Sequence, residues 1–142
     1  MILQDIINRI DTYYKDIPIH TDEIKQGLKL PCFFVHCISA NITRQFQDRF
    51  WYSCYITVTF MPEETMDGIS RDIVGTNMLF MLEKIPINNG FIRATDISIK
   101  EVDGCMQAEI RYSVFVREVK NRQAYMEELK QNFKTVNTVN TL

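Results

Sequence analysis

No apolar run in this chain approaches the roughly 18 residues that a membrane-spanning helix needs. The first residues, Met1-Ile-Leu-Gln-Asp5, meet acid at once and carry no basic leader. The expectation is a product made and kept in the cytosol, with no membrane partner. Basic excess is lacking too. Formal net charge is −2, acids and bases are mixed along the chain, and no dense Lys/Arg block gives the footprint of direct nucleic-acid recognition. Histidine is scarce: only His20 and His36 accompany the four cysteines at 32, 37, 54 and 105. Cys32 and Cys37 are not spaced as C-x-x-C, so no zinc-ligand pattern forms and no metal is expected. Each cysteine lies in apolar context, where a free thiol behaves as a small hydrophobe, and all four are expected to be buried. There is no phosphate loop and no G-x-G-x-x-G, so no cofactor is expected. Long linkers, solenoid repeats and a second domain are also missing.

What is there suits one ordinary domain. The chain has 142 residues, of which 46% are hydrophobic, enough to bury one core. Residues 2–15 read as a helix, with Leu3, Ile6, Ile7, Ile10, Tyr13 and Tyr14 at helical spacing. Asp16-Ile17-Pro18 ends it, because the residue before proline is pushed toward extended geometry. Two short apolar strands flank a polar connection between Pro18 and Pro31, where Gly27 can take a positive φ. Residues 32–39 read as a central strand, and 40–48 continue it outward as an arm or long hairpin. Residues 49–60 alternate. Phe50, Tyr52, Cys54, Ile56, Val58 and Phe60 face one way, and Trp51, Ser53, Tyr55, Thr57 and Thr59 the other.

Residues 64–85 read as a helix capped by Thr65, with Met66, Ile69, Ile73, Phe80, Met81, Leu82 and Ile85 as its buried stripe. Gly75 in its middle implies a close helix-to-sheet approach. Asn88-Asn-Gly90 turns the chain. Residues 91–102 and 105–119 form a hairpin around Asp103-Gly104, with a bulge near Thr95-Asp96. Residues 120–134 read as a polar helix with a thin stripe of Ala124, Tyr125, Leu129 and Phe133, which must dock on the body or on a neighbour. Residues 135–142 are a frayed tail. The sum is an α+β fold: a mainly antiparallel sheet with helices on one face. It divides as one domain over 1–119 and a docking helix and tail over 120–142.

Catalytic chemistry finds little support. His36 and Cys37 are strand neighbours and point to opposite faces, so they do not share a proton. The acid pairs Asp22-Glu23 and Glu63-Glu64 belong to a solvated turn and a helix start. Aromatics on the outward strand face are more telling. Trp51 and Tyr55 stand where a monomer usually places polar groups, and both types are enriched at interfaces; cover by the third helix of the same subunit is the alternative. Ile42, Arg44, Phe46 and Arg49 make the arm a second candidate contact. Tyr125 and Phe133 are a third.

Several segments, in order, carry a likeness to a known family. They are Ile17-Pro-Ile-His-Thr-Asp-Glu23 running on to Pro31-Cys-Phe-Phe-Val35, the aromatic strand Phe50–Phe60 closed by Met61-Pro62, Gly90-Phe-Ile-Arg-Ala-Thr-Asp96, and Glu101-Val-Asp-Gly104 with Val114-Phe-Val-Arg117. Together they resemble the small tail terminators of phages and phage-tail-like bacteriocins of Gram-positive bacteria. That resemblance implies a non-enzymatic subunit of the phage tail, forming a ring, usually a homohexamer, on the last ring of the tail tube. It stops tube growth and offers a platform to the sheath end of a contractile tail or to the head connector. The implied partners are itself, the tube protein, and sheath or connector proteins. The implied location is the host cytoplasm, then the virion or tail particle. A head-tail connector or tail-completion protein, and a small ligand-binding or enzymatic domain, are the alternatives.

Overall fold

The computed structural model describes residues 2–21, 28–88 and 90–117. The expected turn at Gly27, the helix over 120–134 with Tyr125 and Phe133, and the tail over 135–142 lie outside the described residues. The chain divides into two compact units, Met1–Ala40 with Ser53–Ser113, and Asn41–Tyr52 with Val114–Leu142.

Helix α1 (Ile2–Tyr13) buries Ile6 and Ile10 completely. Its apolar residues recur at helical spacing, so one side is dry and the other carries Gln4, Asn8 and Asp11. Strand β1 (Ile19–His20) follows Pro18 and runs parallel to the start of β2 (Cys32–Phe46), pairing Ile19 with Phe33 and His20 with Phe34. The amide of Phe33 donates to the Pro18 carbonyl at 2.9 Å, so the proline lends its acceptor where it has no donor to give. The two-residue turn at Gln47-Asp48 joins β2 to β3 (Arg49–Met61), a connection open to antiparallel neighbours. Gln47 takes φ 53° there.

The alternation over β3 is real: Cys54, Ile56, Val58 and Phe60 are buried and their neighbours are not. Strands β5 (Gly90–Val102) and β6 (Cys105–Arg117) form the expected hairpin. Asp103 and Gly104 both adopt positive φ at its tip, 52° and 80°, and Val102 pairs with Cys105. The register shifts between Ala94 and Asp96, where the bulge was expected. The displaced Thr95 hydroxyl donates to the Arg111 carbonyl at 3.1 Å.

Helix α2 corrects the sequence reading. It spans Gly68–Glu83, and its cap is Asp67, not Thr65: the Asp67 carboxylate accepts from the Ser70 amide at 2.6 Å. The chain then turns directly into an unanticipated strand, β4 (Lys84–Ile87), antiparallel to β5 over Gly90–Arg93. Pro86 is tolerated because β4 is outermost in the sheet order β1-β2-β3-β6-β5-β4. The buried side of α2 is also not the expected one. Val74, Gly75, Met78, Met81 and Leu82 are buried, while Ile69, Ile73 and Phe80 stand 75%, 56% and 77% exposed. Apolar residues occur on both sides of this helix, so periodicity alone selects no face. Gly75 selects it. A side-chain carbon there would come within 2.7 Å of the Met106 methyl and 3.3 Å of Ile99, so only the glycine side can lie this close to the sheet.

Both helices lie on the face that carries the core. Tyr14 packs on Phe33 and Phe33 on Phe60, with ring centroids 5.5 and 5.1 Å apart. Arg9 donates to the Met81 carbonyl at 2.9 Å, joining α1 to the end of α2. The opposite face is left to polar and aromatic side chains.

Candidate interface surfaces

In the first unit, that opposite face is an ordered polar ladder across β3, β6 and β5. Ser53 and Ser113 share a hydrogen bond of 2.9 Å. The Tyr55 hydroxyl donates to Glu109 at 2.7 Å, and Lys100 reaches the other carboxylate oxygen at 2.6 Å. These contacts run in opposite directions along β3 and β6, as in an antiparallel pair. Arg111 lies over the Tyr55 ring, 5.8 Å from its centre. The Glu109 carboxyl is held below its ordinary range by the Lys100 hydrogen bond and then by Tyr55. The same bond to Glu109 pushes the Tyr55 phenol up. Tyr55 is thus half-buried and engaged within its own sheet.

The second unit carries the arm. Trp51 meets Phe115 edge to face, centroids 4.5 Å apart. Arg44 donates to the Gln47 carbonyl at 3.0 Å and lies over Phe50, 4.8 Å from the ring centre. Arg117 pairs with Asp48 at 3.2 Å. Phe46 and Phe115 are 69% and 63% exposed, Ile42 is exposed, and so is Arg49. Of the sequence candidates here, Trp51 is half-buried against Phe115, and the arm residues project to solvent.

The surface that sequence reasoning missed is the Ile69, Ile73 and Phe80 stripe of α2. These residues fall at helical spacing, a pattern that in sequence is the same as that of a core stripe.

Three of the four thiols are poor nucleophile candidates. Burial pushes the thiols of Cys32, Cys37 and Cys105 up, the reverse of what an activated nucleophile needs. Cys37 and His36 are exposed on β2, and Cys105 is half-exposed; the expectation that all four cysteines are buried holds only for Cys32 and Cys54, because β2 loses its cover beyond Val35. A groove of about 450 Å³ runs beside α1, lined by Ile7, Asn8, Asp11, Lys15, Ile17 and Ile19, and it is wide open to solvent. Ligand sites are more enclosed than this.

A family model described as phage tail terminator protein matches residues 1–124. The chain belongs to the phage tail terminator family. It is accordingly a structural protein of the phage tail, a component of the virion that associates with other tail components. The match covers α1 through β6 and stops early in the segment beyond. No curated protein matches. One solved structure resembles 82% of this chain and 96% of its own, at 14% identity and a TM-score of 0.42. That likeness adds nothing to the assignment. Among the described residues, no helix is long and apolar enough to cross a membrane.

Proposed function

We propose that this family member terminates the tail tube: it assembles as a ring, a hexamer by the family's usual habit, on the last tube ring and ends polymerisation. The family match over residues 1–124 carries this reading. The surfaces agree with it. Ile42, Phe46 and Phe115 in one unit, and Ile69, Ile73 and Phe80 in the other, are exposed apolar groups, the residue types that protein contacts cover. Trp51, Arg44 and Arg49 share the unit of the first group and Tyr55 lies on the polar sheet face of the other; all four are candidate contacts. Capping makes and breaks no bond. It needs contacts of the head-to-tail kind that close on themselves instead of continuing as a filament. In a contractile tail the ring also seats the sheath end, and in a phage it meets the head connector. Residues 1–119 form the body of the subunit, and 120–142, including Tyr125 and Phe133, are its docking element.

Tube growth tests this. Adding the protein to polymerising tube subunits shortens the mean tube length in proportion to the amount added. Tubes of unchanged length, with the protein bound instead to isolated connector rings, would identify a head-tail completion protein.

A further inference from the structure

The exposed stripe of α2 is a narrow apolar band on the side of the helix opposite its buried face. Ile69, Ile73, Thr76 and Phe80 fall within one helical strip, about 16 Å long at the usual helical rise. The strip is bordered by acid. Asp72 lies along one flank, as does Glu83, which already pairs with Arg93, and Glu63 and Glu64 precede the capping Asp67. Beyond Arg117 the sequence holds a segment of matching character. Residues 120–134 place Tyr125, Leu129 and Phe133 at helical spacing over about 12 Å. The same residues carry four bases, Lys120, Arg122, Lys130 and Lys134, against two acids, Glu127 and Glu128. A helix of that length with so thin an apolar stripe is marginal alone and needs a docking surface. The α2 strip is long enough to cover that stripe, and Asp72, Glu63 and Glu64 are of opposite charge to the segment's bases.

We infer that the α2 strip of one subunit receives the 120–134 segment of the neighbouring copy. This rests on the ring reading above. Two different surfaces meet, strip on one copy and segment on the next, so the contact is heterologous and every copy both gives and receives. It supplies the repeated link that a closed ring requires. Phe80 and Ile73 then become buried against Tyr125, Leu129 and Phe133, and Asp72 lies within reach of the segment's bases.

The test uses full-length protein in a Cys37→Ser, Cys105→Ser background. One preparation carries Thr76→Cys, on the strip. A second, distinguishable by a mass tag, carries Met126→Cys, beside the segment's stripe. The two are mixed, allowed to assemble and treated with a short bismaleimide. The expected product joins one tagged and one untagged chain, and doubling Ile73→Glu with Phe80→Glu abolishes it and weakens self-association at least tenfold while leaving the circular dichroism spectrum unchanged. Linkage only inside single chains of a Thr76→Cys, Met126→Cys double variant would show that the segment covers its own α2 and overturn the inference. Rings that form without any such linkage overturn it too, and leave the ring reading intact. Unsubstituted protein that forms no ring on tubes or alone overturns both.

Discussion

The hydroxyl of Tyr112, at the centre of β6, donates a hydrogen bond to the carbonyl of Leu82 in the last turn of α2. The final carbonyls of a helix have no partner within it, so a buried strand tyrosine satisfies one of them and pins the helix end to the sheet. Tyr112 is fully buried, and burial pushes its phenol far above the ordinary range, so it remains a donor at any physiological pH. Tyr112→Phe should lower stability by about 1–2 kcal/mol, because a buried acceptor is left unmade. Chemical denaturation checks this. An unchanged midpoint would mean that water replaces the hydroxyl.

Gly75 separates two substitutions that look alike. Alanine gains up to about 1 kcal/mol of helix propensity, and its Cβ meets the ends of two flexible side chains, Met106 at 2.7 Å and Ile99 at 3.3 Å, so Gly75→Ala should change stability by less than about 1 kcal/mol. Gly75→Val adds two methyl groups to the same crowded contact and should cost about 1–3 kcal/mol through overpacking. Thermal melts of the two variants check the gap, which falls to the difference in helix propensity, under about 1 kcal/mol, if α2 does not lie close to the sheet.

Asp67 and Thr65 offer a direct contest over the start of α2. Asp67→Ala should lower the melting temperature and Thr65→Ala should not. The amide and hydroxyl of Ser70 hold the Asp67 carboxyl below its ordinary value. Its capping contribution is therefore present above the unfolded carboxyl pKa and disappears as pH falls through the lower folded value. The gap between wild type and Asp67→Ala should close in acid.

The hydrogen bond between Tyr55 and Glu109 is sensitive to both acid and base. Glu109 binds its proton more weakly folded than unfolded, so its contribution is complete at neutral pH and is lost in acid. Tyr55 holds its proton more tightly when folded, so its contribution is present below the ordinary phenol range and is lost as pH rises through the raised value. Replacing Glu109 with Gln should lower the melting temperature at pH 7 and make no difference in strong acid. Raised salt should shrink the effect, since these groups are near the surface.

Much of this fold is written locally. Asp103-Gly104 fixes a tight turn by backbone preference, and the phase change at Thr95 announces the bulge before any partner strand is known. The alternation assigns faces from Cys54 to Phe60, where one side of β3 is buried and the other is not; from Phe50 to Ser53 both sides are half-buried. What failed was decided by tertiary contact. On α2 both sides offer apolar residues, and the choice between them came from the absent side chain at Gly75 meeting Met106. Strand β4 hid inside the expected helix end, since Lys84-Ile-Pro-Ile87 is too short to show a period and becomes a strand by pairing with β5. Asn88-Asn-Gly90 signals a turn and gives no sign of a hairpin, because Lys84-Ile-Pro-Ile87 before it shows no strand period. The interface candidates were partly legible. The arm's Ile42 and Phe46 are out of place in a polar stretch, whereas Ile69, Ile73 and Phe80 look like core until the helix is seen turned the other way.

The most direct test of the central claim is imaging of the purified protein with preformed tail tubes, combined with light scattering of the protein alone. A tube terminator gives ring-shaped density confined to one end of each tube. A protein that stays monomeric and ignores tube ends, or that coats their length, would contradict it.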